Sequence, residues 1–244
     1  MDPDIYRVYY KLERDHWWNQ AKRDIVLSVL EQYCSFRIGS KIADIGAGTG
    51  SYSEALLKKG VLAEAHDSSA LAIENLRRAK IPFAQKAFPD DYRNISDRYD
   101  AILLLDVLEH IADDRSAIDV ALRMLKPGGV LVCTVPACRK MWGEYDVVAH
   151  HQRRYDLGEV RALFSGRDNL HIEKLSYYSA ILFPILFSVR FVENFFYRRF
   201  RKKATFRPHF VPKFLNQILY FVFIQEKALL KRMNFVLGSA IIAV

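Results

Sequence analysis

Long apolar stretches are scarce in this chain of 244 residues. The run AILFPILFSV (180–189) is ten residues long, holds Pro184 and stops at Arg190. A helix that crosses a bilayer needs roughly 20 apolar residues, so the sequence predicts no membrane span. Cysteine is equally sparse. Cys34, Cys133 and Cys138 form no CxxC pair and no metal-ligand spacing, and their number is odd. That pattern predicts buried, reduced thiols, no bound metal, and a reducing compartment such as the cytoplasm. The opening segment MDPDIYRVYYKLERDHWW has no continuous apolar core, so it does not read as a secretory signal. Internal repeats and low-complexity tracts are absent as well.

Charge and aromatic content are abundant but uneven. Residues 1–179 hold 25 Lys and Arg against 26 Asp and Glu, a net of −1. Residues 180–244 hold 11 against 2, a net of +9, together with 12 of the 16 phenylalanines. Such a shift marks an organisational boundary. Before it, strand-like and helix-like stretches alternate. Residues 5–34 predict a helix, with Ile25, Val26, Val29 and Leu30 on one face. KIADI (41–45), VLAEAHD (61–67), IPFAQKA (81–87), the AILLL of 101–105 and VLVCTVP (130–136) predict strands. Helices over 51–60, 68–80 and 115–129 fall between them. AILLL is the most apolar strand, as a central strand buried on both faces is. LHIEKLSYY (170–178) and NFVLGSAIIAV (234–244) predict two late strands. The alternation predicts an α/β fold with a doubly wound sheet.

IADIGAGTG (42–50) places three glycines at the carboxyl end of the first strand, where ligands of open α/β sheets bind. Glycine lets backbone N–H groups approach a ligand without obstruction by Cβ. The dinucleotide fingerprint GxGxxG would put its third glycine on Ser51, so the match fails there. Asp44, two residues before Gly46, would repel a pyrophosphate and suits a ligand that carries positive charge near the turn. S-adenosylmethionine, with an ammonium and a sulfonium, is such a ligand. Asp67 closes the second strand 21 residues after Gly46. It can accept both hydroxyls of a ribose, or, with Ser68, cap the next helix.

With DIGAGTG (44–50), HD (66–67), YDAILLLDVLEHIADD (99–114) and LKPGGVLVCTVP (125–136) in this order, the chain resembles the class I S-adenosylmethionine-dependent methyltransferases over residues 10–178 and the last strand. The resemblance implies a Rossmann-like, seven-stranded sheet with the last strand antiparallel, and S-adenosylmethionine as cofactor without a metal. It implies that Asp44, Gly46, Ala47, Gly48 and Gly50 border the cofactor's methionine part. Asp67 and Ser68 fall at its ribose, and Asp106, Val107 and Leu108 at its sulfonium. The family's acid after strand 3 is replaced here by QKAFPDD (85–91). Phe88 stacking on the adenine and Asp90 standing in for the acid are the expectations there.

The segment HHQRRYD (150–156) resembles the His-x-Arg-Arg-Tyr that follows strand 5 in one broad bacterial branch of the family. A hydroxyl acceptor must lose its proton, for which histidine is suited near neutral pH. His151, ahead of His150, is the candidate base, with loop ordering by Asp146 or Tyr155 as the structural alternative. Arg153 and Arg154 face an anionic acceptor or anchor the loop. HWW (16–18) belongs to the same branch. It predicts a helix over the glycine turn, with Trp17 or Trp18 walling the pocket or packing in the core, and Arg23 near the cofactor's carboxylate.

The domain reading is therefore an N-terminal helical lid (1–38), a cofactor-binding core (39–179), a helical basic and aromatic cap inserted between the last two strands (180–233), and the final strand (234–244). The insertion joins Phe187, Phe191 and Phe195, each four residues apart, to the run RRFRKK (198–203) and a helix over 212–233. It reads as a cap on the substrate pocket, as a surface for anionic membrane, or as both. A small-molecule or lipid-linked acceptor follows, with O-methylation of a hydrophobic, glycan or natural-product substrate foremost. The basic pI of about 9.3 invites nucleic acid. No Asn/Asp-Pro-Pro-aromatic motif follows strand 4, however, so an RNA methyltransferase and a non-catalytic binding module stand as alternatives.

Overall fold

The computed structural model describes residues 10–35, 37–167, 170–200 and 211–244, with the backbone alone at 196–200. Helical turns at 10–15 (α1) lead into α2 (Trp17–Tyr33). The helix foreseen across 5–34 is broken at His16, whose extended backbone and ring nitrogen cap α2 by accepting from Trp18 N. The core then alternates β1 (Lys41–Ile45), α3 (Ser51–Leu57), β2 (Leu62–Asp67), α4 (Ala70–Arg78), β3 (Phe83–Gln85), β4 (Tyr99–Leu105), α5 (Asp114–Met124) and β5 (Leu125–Pro136). Two short helices follow, α6 (Glu144–Val148) and α7 (Leu157–Phe164). Then come β6 (Leu175–Tyr178), α8 (Phe183–Phe200), α9 (Lys213–Ile224), α10 (Glu226–Arg232) and β7 (Ala240–Ala243).

The seven strands form one sheet in the order β3-β2-β1-β4-β5-β7-β6. The first five are parallel to one another, and β7 runs antiparallel to both β5 and β6. This is the doubly wound sheet that the strand and helix alternation predicts. β4 lies between β1 and β5, and Ala101 to Leu104 are fully buried. Side chains alternate across it as strand geometry requires. Ile102 and Leu104 join Ala43, Ile45 and Cys133 against α5 and α7. Leu103 joins Ile42, Val132 and Ile242 against α2, α9 and α10.

Several boundaries move. LKPGG (125–129) extends β5 instead of ending α5, and the sheet register shifts between Tyr99 and Ala101 to admit it. The helix foreseen over 212–233 divides at Gln225 into α9 and α10. The last strand shrinks to Ala240–Ala243, with Phe235 making an isolated bridge to Tyr177. The basic run at 198–203 lies outside the residues whose side chains are described.

The largest revision concerns α2. It is a layer of the core rather than a lid, because Ala21, Ile25, Val26, Val29 and Leu30 are buried on the sheet. Trp17 and Trp18 pack on Phe223 of α9, at ring separations of 6.0 and 5.0 Å. The two tryptophans thus take the core-packing alternative. Phe223 is fully buried between them. Its replacement by alanine leaves a cavity that rigid neighbours cannot refill, so Phe223→Ala is expected to cost about 3–5 kcal/mol in urea unfolding.

Candidate active site

The glycine turn hangs from the end of β2. Gly46 N and Ala47 N both donate to His66 O, at 2.8 and 3.0 Å. Gly46, Gly48 and Gly50 all take positive φ, at 69°, 56° and 76°. Two of them are also forced by space. A Cβ on Gly46 would lie 2.6 Å from Val107 Cγ2, and one on Gly50 would lie 2.5 Å from Leu76 Cδ2. Gly48 N donates to Asp67 Oδ2 at 2.9 Å, while Asp67 Oδ1 accepts from Ser69 N at 2.8 Å. Asp67 therefore joins the glycine turn to the start of α4. The cap of that helix is Ser69, which accepts from Ala72 N, and Ser68 is exposed beside it.

α1 lies over this turn. Thr49 Oγ1 donates to Glu13, and Arg14 reaches Thr49 Oγ1 at 3.2 Å, Thr49 O at 3.3 Å and Glu54 at 2.9 Å. Asp44 is buried beneath, 2% exposed, and accepts from Ser53 Oγ at 2.7 Å. Burial pushes its carboxyl up to about 7 against that hydrogen bond. Burial raises Glu13 in the same way.

At the end of β4 the backbone of Asp106 turns left-handed, with φ 56°. Asp106 N donates to Thr134 O and Thr134 Oγ1 to Asp106 Oδ1, both at 2.9 Å. The second carboxylate oxygen pairs with Lys22 of α2. Burial alone would raise the Asp106 carboxyl, but Lys22 and Thr134 outweigh it and hold it below the usual range. Asp106 in turn overcomes burial at Lys22 and lifts its ammonium well above the ordinary lysine range. Arg23, foreseen near the cofactor's carboxylate, lies 3.7 Å from Asp24. Val107 packs against the glycine turn. Leu108 does not line the site: it is 1% exposed and belongs to the core under α5 and α7.

Glu109 is fully buried, and neither of its carboxylate oxygens has a hydrogen-bond partner. Burial, reinforced by Asp106, raises its carboxyl far above the usual range. Its Oε1 lies 3.9 Å from His151 Nε2. On the other side of that ring, Nδ1 is 2.9 Å from Asp146 Oδ1. A carboxylate can only accept, so the imidazole donates from Nδ1, and the neutral ring with that tautomer has its lone pair at Nε2. Asp146 is itself fixed by Arg154 Nε at 2.8 Å, Arg154 Nη2 at 3.1 Å and Gly143 N at 2.9 Å. Burial would raise Asp146, but His151 and Arg154 bring it below the ordinary range. His150 sits outside this arrangement, exposed, at φ 59°. Arg153 pairs with Asp114 at 2.9 Å, and Arg154 also donates to Ala137 O, so both arginines anchor the loop. Ligand atoms of Glu109, His110 and His151 all lie within 4.8 Å of one another, a spacing able to hold a cation.

The segment after β3 holds the two residues foreseen at the adenine. Phe88 packs on Tyr92 at 5.7 Å and faces the core. Asp90 is not brought to the site: its side chain is 74% exposed and paired with Arg93 at 2.8 Å. Asp91 instead closes the loop by accepting from Ala87 N. Among the residues that do converge, Lys22, Glu13, Arg14 and Glu109 had no role in the sequence. Lys22 had a visible signal: it interrupts the apolar face formed by Trp18, Ala21, Ile25 and Val26, where a charge is costly unless paired.

A family model for a methyltransferase domain matches residues 16–179. A ubiquinone biosynthesis O-methyltransferase of Cereibacter sphaeroides is 34% identical over 104 residues, covering 39% of this chain and 41% of that protein. Its counterpart from Erwinia tasmaniensis is 26% identical over 123 residues, covering 48% and 51%. The chain thus spans about half the length of the curated relatives it matches. A SAM-dependent methyltransferase from Archaeoglobus fulgidus superimposes with a TM-score of 0.52 at 16% identity, covering 91% of this chain and 93% of that one. The [4+2]-cyclase SpnF superimposes with 0.55 at 18% identity, covering 93% and 81%. Likeness at this level speaks for the fold alone.

The position of Asp44 has a measurable consequence. A carboxyl raised from 3.8 to about 7 by folding binds its proton more tightly in the native state. Its destabilising effect is absent below the unfolded value and grows as pH climbs toward 7. Asp44→Asn is therefore expected to gain stability relative to the parent across pH 4 to 7 in urea titrations of ligand-free protein.

Proposed function

The chain belongs to the methyltransferase-domain family, and we propose that it transfers a methyl group from S-adenosylmethionine to the hydroxyl of a hydrophobic or lipid-linked acceptor. The observation that carries this reading is the meeting of two devices at the carboxyl edge of one sheet. One is the glycine turn tied to Asp67. The other is the His151–Asp146 dyad.

The donor set at this edge suits the cofactor. Asp67 and Asp106 stand at it, with Asp44 and Glu13 behind them and Lys22 paired to Asp106. Such a surface favours a cationic ligand and disfavours a diphosphate. Bound S-adenosylmethionine supplies an electrophilic methyl group on a sulfonium. Gly46, Ala47, Gly48 and Gly50 would border its amino-acid end with Asp44 close behind, Asp67 would hold the ribose hydroxyls, and Asp106 and Val107 would line the sulfonium side. His151 takes the acceptor's proton at Nε2, while Asp146 holds the ring in the required tautomer and offsets the positive charge that forms. Alignment of donor and acceptor supplies much of the acceleration of a displacement.

The acceptor's hydrophobic character is inferred from the insertion. Ile185, Val189, Phe191 and Val192 of α8 and Phe214, Ile218 and Phe221 of α9 are exposed. Among the described residues no helix is long and apolar enough to cross a membrane. An apolar surface in a segment with a net charge of +9 suits contact with an anionic bilayer from one side.

Two measurements test the reading. Titration calorimetry with S-adenosylhomocysteine is expected to give binding that Asp67→Ala weakens about tenfold or more, the loss of a charge-assisted pair of hydrogen bonds. His151→Ala is expected to lower kcat on the acceptor about 100-fold while leaving that binding intact. A variant that keeps more than half of kcat removes His151 as the base.

A further inference from the structure

α9 has two faces with different duties. One is locked to the N-terminal helices. Phe223 is buried between Trp17 and Trp18, and Tyr220 donates to Asp24 at 2.7 Å. Asn216 spans the break between α1 and α2: its Oδ1 accepts from Trp17 N at 2.8 Å and its Nδ2 donates to Asp15 O at 2.9 Å. Those two bonds hold the hinge at His16. On one side of that hinge, Glu13 and Arg14 lie on the glycine turn. On the other, Lys22 reaches Asp106.

The opposite face of α9 carries Phe214, Ile218 and Phe221, which are 70%, 46% and 64% exposed. Their spacing of four and three residues puts them on one stripe. Lys213 stands beside Phe214, and Lys227, Lys231 and Arg232 of α10 are exposed cations of the same segment. The two acids of 180–244 do not offset them. Glu193 pairs with Arg190 at 3.4 Å, and Glu226 is buried, accepting from Ile181 N. An apolar stripe in a segment whose exposed charges are mostly cationic complements an anionic bilayer.

We propose that α9 is a lipid-docking helix whose seating on an anionic bilayer sets α1 over the glycine turn through Asn216. The inference rests on the membrane contact proposed above and adds its consequence for the donor site. A bilayer that holds α9 in one position narrows the motions of the hinge it clamps, so lipid and donor are coupled through one element. The two faces of α9 cannot move independently, because Asn216 and Phe214 stand two residues apart on one rigid helix.

The test uses the full chain, vesicles of phosphatidylglycerol and phosphatidylcholine, and S-adenosylhomocysteine as the probe. The parent protein is expected to float with anionic vesicles. Their presence is expected to tighten the probe's Kd by about fivefold or more and to slow amide exchange over residues 10–18. Phe214→Asp with Phe221→Asp alters only exposed side chains and is expected to abolish flotation and both vesicle effects. Asn216→Ala is expected to keep flotation but lose the effects on Kd and exchange. Asn216→Asp, which keeps the acceptor for Trp17 N and gives up the donor to Asp15 O, serves if the alanine variant shows a non-native circular dichroism spectrum. Flotation without any change in Kd or in exchange over 10–18 overturns the coupling and leaves the membrane contact standing. Absence of flotation overturns both. A dimer by light scattering that Phe221→Asp dissolves assigns the stripe to a second copy of this chain and overturns the proposal as well. If the probe does not bind at all, the exchange measurement still decides the coupling, and the cofactor reading alone fails.

Discussion

The ion pair between Lys22 and Asp106 is the interaction on which the organisation of this site depends. The Lys22 side chain is 13% exposed and that of Asp106 40%, so the cost of desolvation falls mainly on the lysine, and it is recovered only when geometry is well satisfied. Here it is satisfied from both ends. Thr134 donates to one carboxylate oxygen of Asp106 and Lys22 to the other. The backbone of Asp106 adopts a left-handed turn, and its carboxylate stands between Thr134 and Lys22. In exchange, the pair ties α2 to the end of β4, so the N-terminal helices and the sheet meet at the same edge as the glycine turn.

From that tie the rest of the site follows by proximity. α2 cannot shift without moving Lys22, and α1 continues from α2 to rest Glu13 and Arg14 on Thr49. The glycine turn is anchored from β2 through His66 O and Asp67. The loop after β5 is anchored by Arg153 and Arg154. Three separate stretches of chain are thus held at one strand edge by hydrogen bonds to backbone or to buried carboxylates. The resulting surface is acidic, and a cationic ligand is its natural complement. A site that brought two phosphates to Asp67 and Asp106 would work against Coulomb's law at short range.

Much of the core was legible because its signals are local. AILLL reads as a buried central strand, and it is one. The glycines of 46–50 read as a turn at a strand end, and their positive φ values follow from that position. Leu108 and Asp90 were not legible in the same way. Both sit in short segments, DVLEH and FPDD, whose place after a strand points to the site, yet one turns into the core and the other into solvent. A single residue's rotation about a loop decides which, and spacing along the chain does not encode it. The tryptophans of HWW illustrate the same limit. Their burial partner, Phe223, lies more than 200 residues away, beyond the reach of any periodicity.

Local pattern alone therefore specified the alternation of strands and helices, the placement of the glycine turn at a strand end, and the chemical sign of the ligand, because period, turn chemistry and charge are carried by neighbours in the chain. Folding in three dimensions settled which cation meets Asp106, which histidine of the pair at 150–151 faces inward, that Glu109 is left buried without a partner, and that Asn216 clamps the hinge between α1 and α2. The first and the last of those outcomes join residues far apart in sequence. Long-range packing chooses among partners that are equally available to the unfolded chain.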